Sequence, residues 1–344
     1  MPVGTPLFPA DPVCATESFS MSRPRLLQNG KMPLAALDQE LAAQFDIHRL
    51  DLEADRAGFL AAHGADFVGL VTAAGTGANA ELVRALPNLQ VVSSFGVGYD
   101  ALDEAALVAQ KARVGYTPDV LNDCVADLAF ALLLDISRGV SASDRFVRRG
   151  DWEKGRFGLQ TRVAGKRLGI FGMGRIGSTI ARRASGFDME IGYHNRRPVE
   201  GSPHAYKDSL LALAEWADYL VVVAAGGAAT RHLVNAQVLD ALGPQGFLVN
   251  VARGSVVDEA ALVQALQQNR IAGAGLDVFE DEPRPLPALL ALDNVVLAPH
   301  MASGTHETRR AMGDLVLENL ETFFATGRPK AEVPWSAAIN RITP

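Results

Sequence analysis

Residues 168–177 read Leu-Gly-Ile-Phe-Gly-Met-Gly-Arg-Ile-Gly, an apolar run that ends in the spacing G-x-G-x-x-G at Gly172, Gly174 and Gly177. A helical pattern, 178–184, follows at once. Each glycine has a mechanical reason. The first permits a tight turn, the second lets a pyrophosphate approach the backbone, and the third allows close packing of helix on strand. N–H groups at the helix start then face the phosphates. Glycines also occur in ordinary strand–helix turns, so it is the complete strand–turn–helix unit that points to a dinucleotide. Arg175 and Ile176, inside the motif, are candidate cofactor contacts with the three glycines.

An NAD site of this kind has an acid about 20 residues further on, at the end of the next strand. Here that strand runs into Tyr193-His194-Asn195-Arg196-Arg197-Pro198, and the nearest acids, Asp188 and Glu190, stand at or before its start. A guanidinium can hold a phosphate through two N–H groups, so Asn195, Arg196 and Arg197 point to the 2′-phosphate of NADP, with NAD bound more weakly. The alternative is two solvated arginines in a loop.

Outward from the motif, short apolar runs alternate with helical patterns. Before it, strands are expected at 25–28, 46–50, 66–71, 90–95 and 112–116, with helices at 36–44 and 80–86. One long helix is expected over 123–149. After it, strands are expected at 167–172, 189–194, 218–224, 246–251, 273–278 and 294–297, then a last helix over 306–325. That rhythm predicts βαβ units and two open α/β domains with parallel sheets.

Composition narrows the function. With 32 Lys and Arg against 39 Asp and Glu the formal charge is −7, which leaves no basic surplus for a phosphate backbone, so nucleic acid is not an expected partner. Two cysteines, Cys14 and Cys124, form no CxxC pair, which argues against a disulfide framework or zinc site and suits a reducing, cytoplasmic setting. The densest apolar stretch, 219–229, is half the length a membrane helix needs, so no membrane partner is expected. The first 20 residues carry no secretory pattern and read as a loose extension, with Met21 an alternative start. His300 and His306 are six apart with no HExxH, so no metal is expected, and no G-x-S-x-G elbow is present.

Three polar residues fall in loops after late strands, where a doubly wound sheet places its ligands. Arg253 follows Asn250-Val251-Ala252, Glu282 lies in Glu280-Asp281-Glu282-Pro283, and His300 follows Ala298-Pro299. Reduction of a 2-oxo acid needs a cation for the carboxylate and carbonyl, a proton donor, and a carboxylate that favours the donor's charged form. By pattern alone each could be an ion-pair arginine, a solvated acid or a hydrogen-bonded loop histidine, and Glu282 is not distinguished from Glu280 or Asp281.

Together the motifs resemble the D-isomer-specific 2-hydroxyacid dehydrogenases. The matching stretches are Phe95-Gly96-Val97-Gly98-Tyr99-Asp100, the glycine loop, Asn250-Val251-Ala252-Arg253-Gly254, Leu276-Asp277-Val278-Phe279 through Glu282-Pro283, and Pro299-His300-Met301-Ala302-Ser303, over about residues 25–328. The resemblance implies that Arg253 binds the substrate's carboxylate and carbonyl, His300 is the general acid/base and Glu282 its partner. The N–H groups of Val97 and Gly98 would hold the carboxylate, with Ser303 in the same pocket, while Thr230, Ala252 and Asp277 would contact the cofactor. It implies a flavodoxin-like substrate-binding domain, 1–122 with 305–344, and a Rossmann-type cofactor domain, 123–304, hinged near Asn122 and Thr305.

Within the family, residues 193–197 and Arg149-Gly150-Asp151-Trp152 resemble NADPH-dependent glyoxylate/hydroxypyruvate reductases. There, the residue matching Trp152 reaches the partner's substrate pocket in a homodimer; an ordinary packed tryptophan is the other reading. One departure is Ala225-Gly226-Gly227, where many relatives begin with proline. The function implied is reduction of small 2-oxo acids to D-2-hydroxy acids. Alternatives are a reductase of a larger 2-oxo acid, such as a sugar-derived one, and a cofactor-sensing protein of corepressor type.

Overall fold

Leucine and valine runs such as Leu26-Leu27, Leu70-Val71 and Val91-Val92 are wholly buried, as strands covered on both faces must be. In the computed structural model, which describes residues 23–339, they belong to a sheet of five strands: β1 (Arg25–Gln28), β2 (Asp46–Arg49), β3 (Gly69–Ala73), β4 (Val91–Phe95) and β5 (Arg113–Gly115). The expected extension at 1–20 and the alternative start at Met21 lie outside the described residues. A second sheet of seven strands contains β6 (Arg167–Phe171), β7 (Glu190–His194), β8 (Ala205–Tyr206), β9 (Tyr219–Val222), β10 (Phe247–Asn250), β11 (Gly273–Leu276) and β12 (Val295–Leu297). Neighbouring strands are parallel throughout both sheets.

The first sheet has the order β2-β1-β3-β4-β5 and the second β12-β11-β10-β9-β6-β7-β8. The first is the flavodoxin-like order; the second is the dinucleotide-binding order with a seventh strand at its end. In each, connections turn away in opposite directions from one point, β1/β3 in the first and β6/β9 in the second, which opens a crevice at the carboxyl ends of the strands. The glycine loop leaves β6 at the second of these points. The two-residue β8 was too short to be read from alternation.

The long helix expected over 123–149 is two helices, Asn122–Arg138 and Val140–Arg148. They part at Gly139, whose φ of +62° is left-handed and whose N–H donates to Asp135 O at 2.7 Å. Asp135 also accepts the N–H of Ser141 at 2.8 Å, which fixes the new direction. Apolar spacing continues across the break, and only the glycine marks it. The first of the two helices lies on the second sheet, close because β11 carries glycine under it: a Cβ at Gly273 or Gly275 would stand 2.9 Å from Ile136 or Leu132.

The helix His306–Thr326 crosses back onto the first sheet. Ser93 donates to Val316 O at 3.0 Å, and buried Asn319 donates to Tyr116 O at 3.0 Å while accepting the N–H of Ala331 at 2.8 Å. Arg113, fully buried on β5, meets Glu332 at 3.0 Å. Among the described residues no helix is long and apolar enough to cross a membrane.

Asn319→Leu strands one buried carbonyl and one buried N–H, each costing about 1–3 kcal/mol. The expected result is a clear drop in Tm and proteolytic release of the segment after residue 326, measured by calorimetry and limited proteolysis; an unchanged Tm would contradict it.

Candidate active site

The glycine loop is built for close approach. A Cβ at Gly172, where φ is +109°, would stand 2.5 Å from the backbone N of Ala224, and one at Gly177 would collide with Gly172 O. Gly174, at the start of the helix Arg175–Ala184, has nothing within 4 Å of the same position. Two glycines let protein pack on protein, and the third leaves a concavity in front of helix N–H groups that lack partners inside the helix. Asn195, at the end of β7, spans the loop from behind: Met173 N donates to its Oδ1 at 2.7 Å, and its Nδ2 donates to Met173 O at 3.2 Å. The side chain expected to touch cofactor thus shapes the loop that would do so. Arg196 and Arg197 are exposed, and no acid pairs with either among the described residues.

At the carboxyl end of β11 the chain places Asp277, wholly buried. Its two carboxylate oxygens accept the N–H groups of Met301 and Ala302 at 2.7 and 3.0 Å, and its own carbonyl accepts that of His300 at 2.8 Å. Burial pushes this carboxyl above its ordinary value, against the pull of the two N–H groups and of His300. The three bonds hold His300 at a φ of +50°, a left-handed conformation that is costly for a residue with a side chain. Thus held, His300 Nδ1 donates to Glu282 Oε2 at 2.6 Å, while Glu282 Oε1 accepts Phe279 N–H at 3.1 Å. Burial works to raise Glu282, but His300, Phe279 N–H and the charge of Arg253 outweigh it and hold the carboxyl below its ordinary value. Glu282 is therefore the ionised acid of its loop that meets the histidine; Asp281 turns to Arg284, and Glu280 to Arg231 and His232.

Arg253 follows β10 and stands beside the loop after β4. Its Nη1 donates to Ala252 O at 2.8 Å, and its Nε meets Asp100 Oδ1 at 3.3 Å. A Cβ on Gly98 would overlap its guanidinium, so the Val97–Gly98 backbone and Arg253 share one small space. Buried Asn250 sets the turn between, accepting Ala252 N–H at 3.0 Å and donating to Arg253 O at 3.1 Å.

The remaining candidates divide. Ala252 is buried, Ser303 is half-buried, and Thr230 closes its own loop by donating to Ala225 O at 2.7 Å. Ile176 packs into the core. Arg175 turns from the glycine loop to the first sheet, donating to Tyr116 Oη at 3.1 Å and pairing with Asp119 at 3.1 Å. Trp152 is not gathered with the others; it stands 68 % exposed on the turn Asp151–Glu153. Sequence reading assigned nothing to Asp100 or Asn250, although both lie inside quoted motifs, or to Glu259, a buried carboxylate that accepts Glu280 N–H at 2.6 Å and steadies the Glu282 loop.

The chain is similar to known proteins over most of its length. The family described as D-isomer specific 2-hydroxyacid dehydrogenase, NAD binding domain, matches residues 130–302. A hydroxyphenylpyruvate reductase of Plectranthus scutellarioides is 46% identical over 85% of this chain and 93% of its own. A 2-ketogluconate reductase of Gluconobacter oxydans is 45% identical over 74% of this chain and 83% of its own. The crystal structure of an NADPH-dependent glyoxylate/hydroxypyruvate reductase from Sinorhizobium meliloti, in complex with NADP and malonate, superposes with a TM-score of 0.85 at 43% identity, covering 92% of this chain and 98% of that one.

Asp277→Asn keeps the shape but leaves one oxygen to meet two N–H groups, at a cost of about 1–3 kcal/mol. His300 keeps its own bond to the backbone carbonyl but the turn behind it is held less firmly, and kcat should fall about 10–100-fold with Tm lowered by a few degrees; steady-state kinetics with thermal unfolding checks both.

Proposed function

Because the chain belongs to the D-isomer specific 2-hydroxyacid dehydrogenase family, and is thus an NAD(P)-dependent enzyme acting on small 2-oxo acids, we propose that it is an NADPH-dependent reductase of glyoxylate, hydroxypyruvate and acids of similar size. The observation that carries the reading is the 2.6 Å bond between His300 and Glu282, set beside Arg253.

Arg253 and the N–H groups of Val97 and Gly98 take the substrate's carboxylate, with Ser303 at the pocket wall. The guanidinium also polarises the 2-oxo carbonyl, whose oxygen gains negative charge as the bond order falls. His300, with Nδ1 committed to Glu282, presents Nε2 to that oxygen and gives up its proton, while Glu282 holds the ring in that orientation. The nicotinamide, when bound, supplies the hydride.

The residues present fit such a cofactor. The open space at Gly174 admits a pyrophosphate against helix N–H groups, with Arg175 and Ile176 in the first turn. Ala252 and Thr230 follow β10 and β9, at the strand ends where the carboxamide would rest; Asp277, wholly buried with both oxygens engaged, serves by holding the 300–302 turn. No acid ends β7, and Arg196 and Arg197, exposed and without acidic partners among the described residues, suit a 2′-phosphate. Asn195 serves by holding Met173. The working form is taken as a homodimer. Val140, Val147, Trp152 and Leu159 are exposed apolar side chains on one stretch, which a second copy would cover with Trp152 directed to its pocket.

A panel of 2-oxo acids assayed with NADPH and NADH tests the proposal. Turnover of glyoxylate or hydroxypyruvate with NADPH favoured at least tenfold is expected. Turnover confined to larger acids would move the substrate class, and saturable NADPH binding without turnover would point to a sensor. His300→Gln should abolish reduction while NADPH still binds. The double variant Arg196→Ala/Arg197→Ala should raise KM for NADPH at least tenfold and leave that for NADH within about twofold; equal losses would refute the phosphate assignment.

A further inference from the structure

We propose that Asp100 is the positioning residue for Arg253, fixing which of its guanidinium N–H groups meet the substrate. The inference rests on the role given to Arg253 above and extends it to a residue of the opposite sheet. Asp100 follows β4 and Arg253 follows β10, so the pair reaches across the cleft.

The guanidinium has three donor positions, and the protein uses two of them unequally. Nη1 is tied to Ala252 O at 2.8 Å, and Nε faces Asp100 Oδ1 at 3.3 Å. Nη2 has no acceptor among the described residues and lies where a Cβ on Gly98 would be. With Nη1 hydrogen-bonded and Nε drawn to Asp100 in an ion pair, Nη2 is left beside the Val97–Gly98 backbone where a carboxylate would be held. Both charged side chains are one-quarter exposed, so their attraction is screened less than at an open surface.

The chain makes room for this pair. A Cβ on Gly226 would stand 2.7 Å from Arg253 Cγ, so that something must shift, and 3.1 Å from Asp100 Oδ2, which would have to give by a few tenths of an ångström. The φ of Gly226 is not in the left-handed region, so space, not conformation, is what a side chain there would disturb. The Ala225-Gly226-Gly227 stretch, unexplained by its departure from proline, thus gains a purpose beside the guanidinium.

Asp100 carries a charge of the same sign as the substrate, so it is not placed there to strengthen binding. Its effect belongs to the alignment of Arg253 with the carbonyl, which matters most as charge develops on that oxygen. Removing it should leave KM for the 2-oxo acid unchanged or lower and reduce kcat.

The test is steady-state kinetics on Asp100→Ala, Asp100→Asn, Gly226→Ala and Arg253→Gln, with NADPH affinity from fluorescence and Tm for each. Expected are a fall in kcat of about 10–100-fold for Asp100→Ala with KM no higher than about threefold. Asp100→Asn, which keeps the acceptor and shape, should recover part of that loss. Gly226→Ala should imitate Asp100→Ala in kcat while leaving the charge intact. A kcat for Asp100→Ala within twofold of the parent, or a raised KM with kcat unchanged, overturns the positioning role. Should Asp100→Ala fail to fold, Asp100→Asn and Gly226→Ala decide by the same ratio of kcat to KM. Arg253→Gln separates the two levels: if it costs less than tenfold in kcat/KM, the role of Arg253 itself falls, whereas a large loss there with silent Asp100 variants overturns only the inference.

Discussion

The site depends on a carboxylate that water does not reach. Asp277 has both oxygens committed to the N–H groups of Met301 and Ala302, and its carbonyl to that of His300. Without those bonds nothing would keep His300 in a left-handed backbone conformation, and its ring would not meet Glu282 at 2.6 Å. Burial raises this carboxyl, so the arrangement stores an unfavourable environment at Asp277 in return for a defined direction at His300. Glu282 is treated oppositely: it is partly buried as well, yet the histidine and a backbone N–H hold it ionised. Two acids five residues apart therefore have different chemistry because their partners differ.

Anion binding in an acidic protein follows the same logic of local partners. The formal charge of −7 describes the long-range field, which is screened within about 10 Å at ordinary salt. A pyrophosphate or carboxylate in a crevice instead meets backbone N–H groups and a few guanidinium groups at contact distance. Gly174 stands open to such an approach, while at Gly98 the missing side chain leaves room for the Arg253 guanidinium against the backbone.

Much of this was legible in the sequence. Periodicity located eleven of the twelve strands, because buried parallel strands are apolar along their length, and the glycine spacing located the cofactor crevice. Arg253 and His300 could be singled out by their place after late strands. The choice of Glu282 over its two acidic neighbours needed the family resemblance, since three adjacent acids look alike until a loop folds and turns one inward. Three things were hidden. The break at Gly139 lies inside continuous helical spacing. The bracing role of Asn195 was not legible because a polar residue at a strand end can face either outward or back to the loop, and only the folded chain shows its bonds to Met173. Asp100 was invisible as a partner of Arg253 because 153 positions separate them and no local pattern links the two sheets.

The return of the helix His306–Thr326 to the first sheet has a consequence for synthesis. The cofactor domain is a continuous stretch and can close as soon as β12 has emerged. The first sheet must wait: the bond from Ser93 to Val316 spans 223 positions and that from Asn319 to Tyr116 spans 203. At about 5–20 residues per second, the edges and apolar face of that sheet stay uncovered for roughly 10–40 s on the ribosome. High contact order in one domain thus makes the earlier-translated half the later to fold, and chaperones would find their target there.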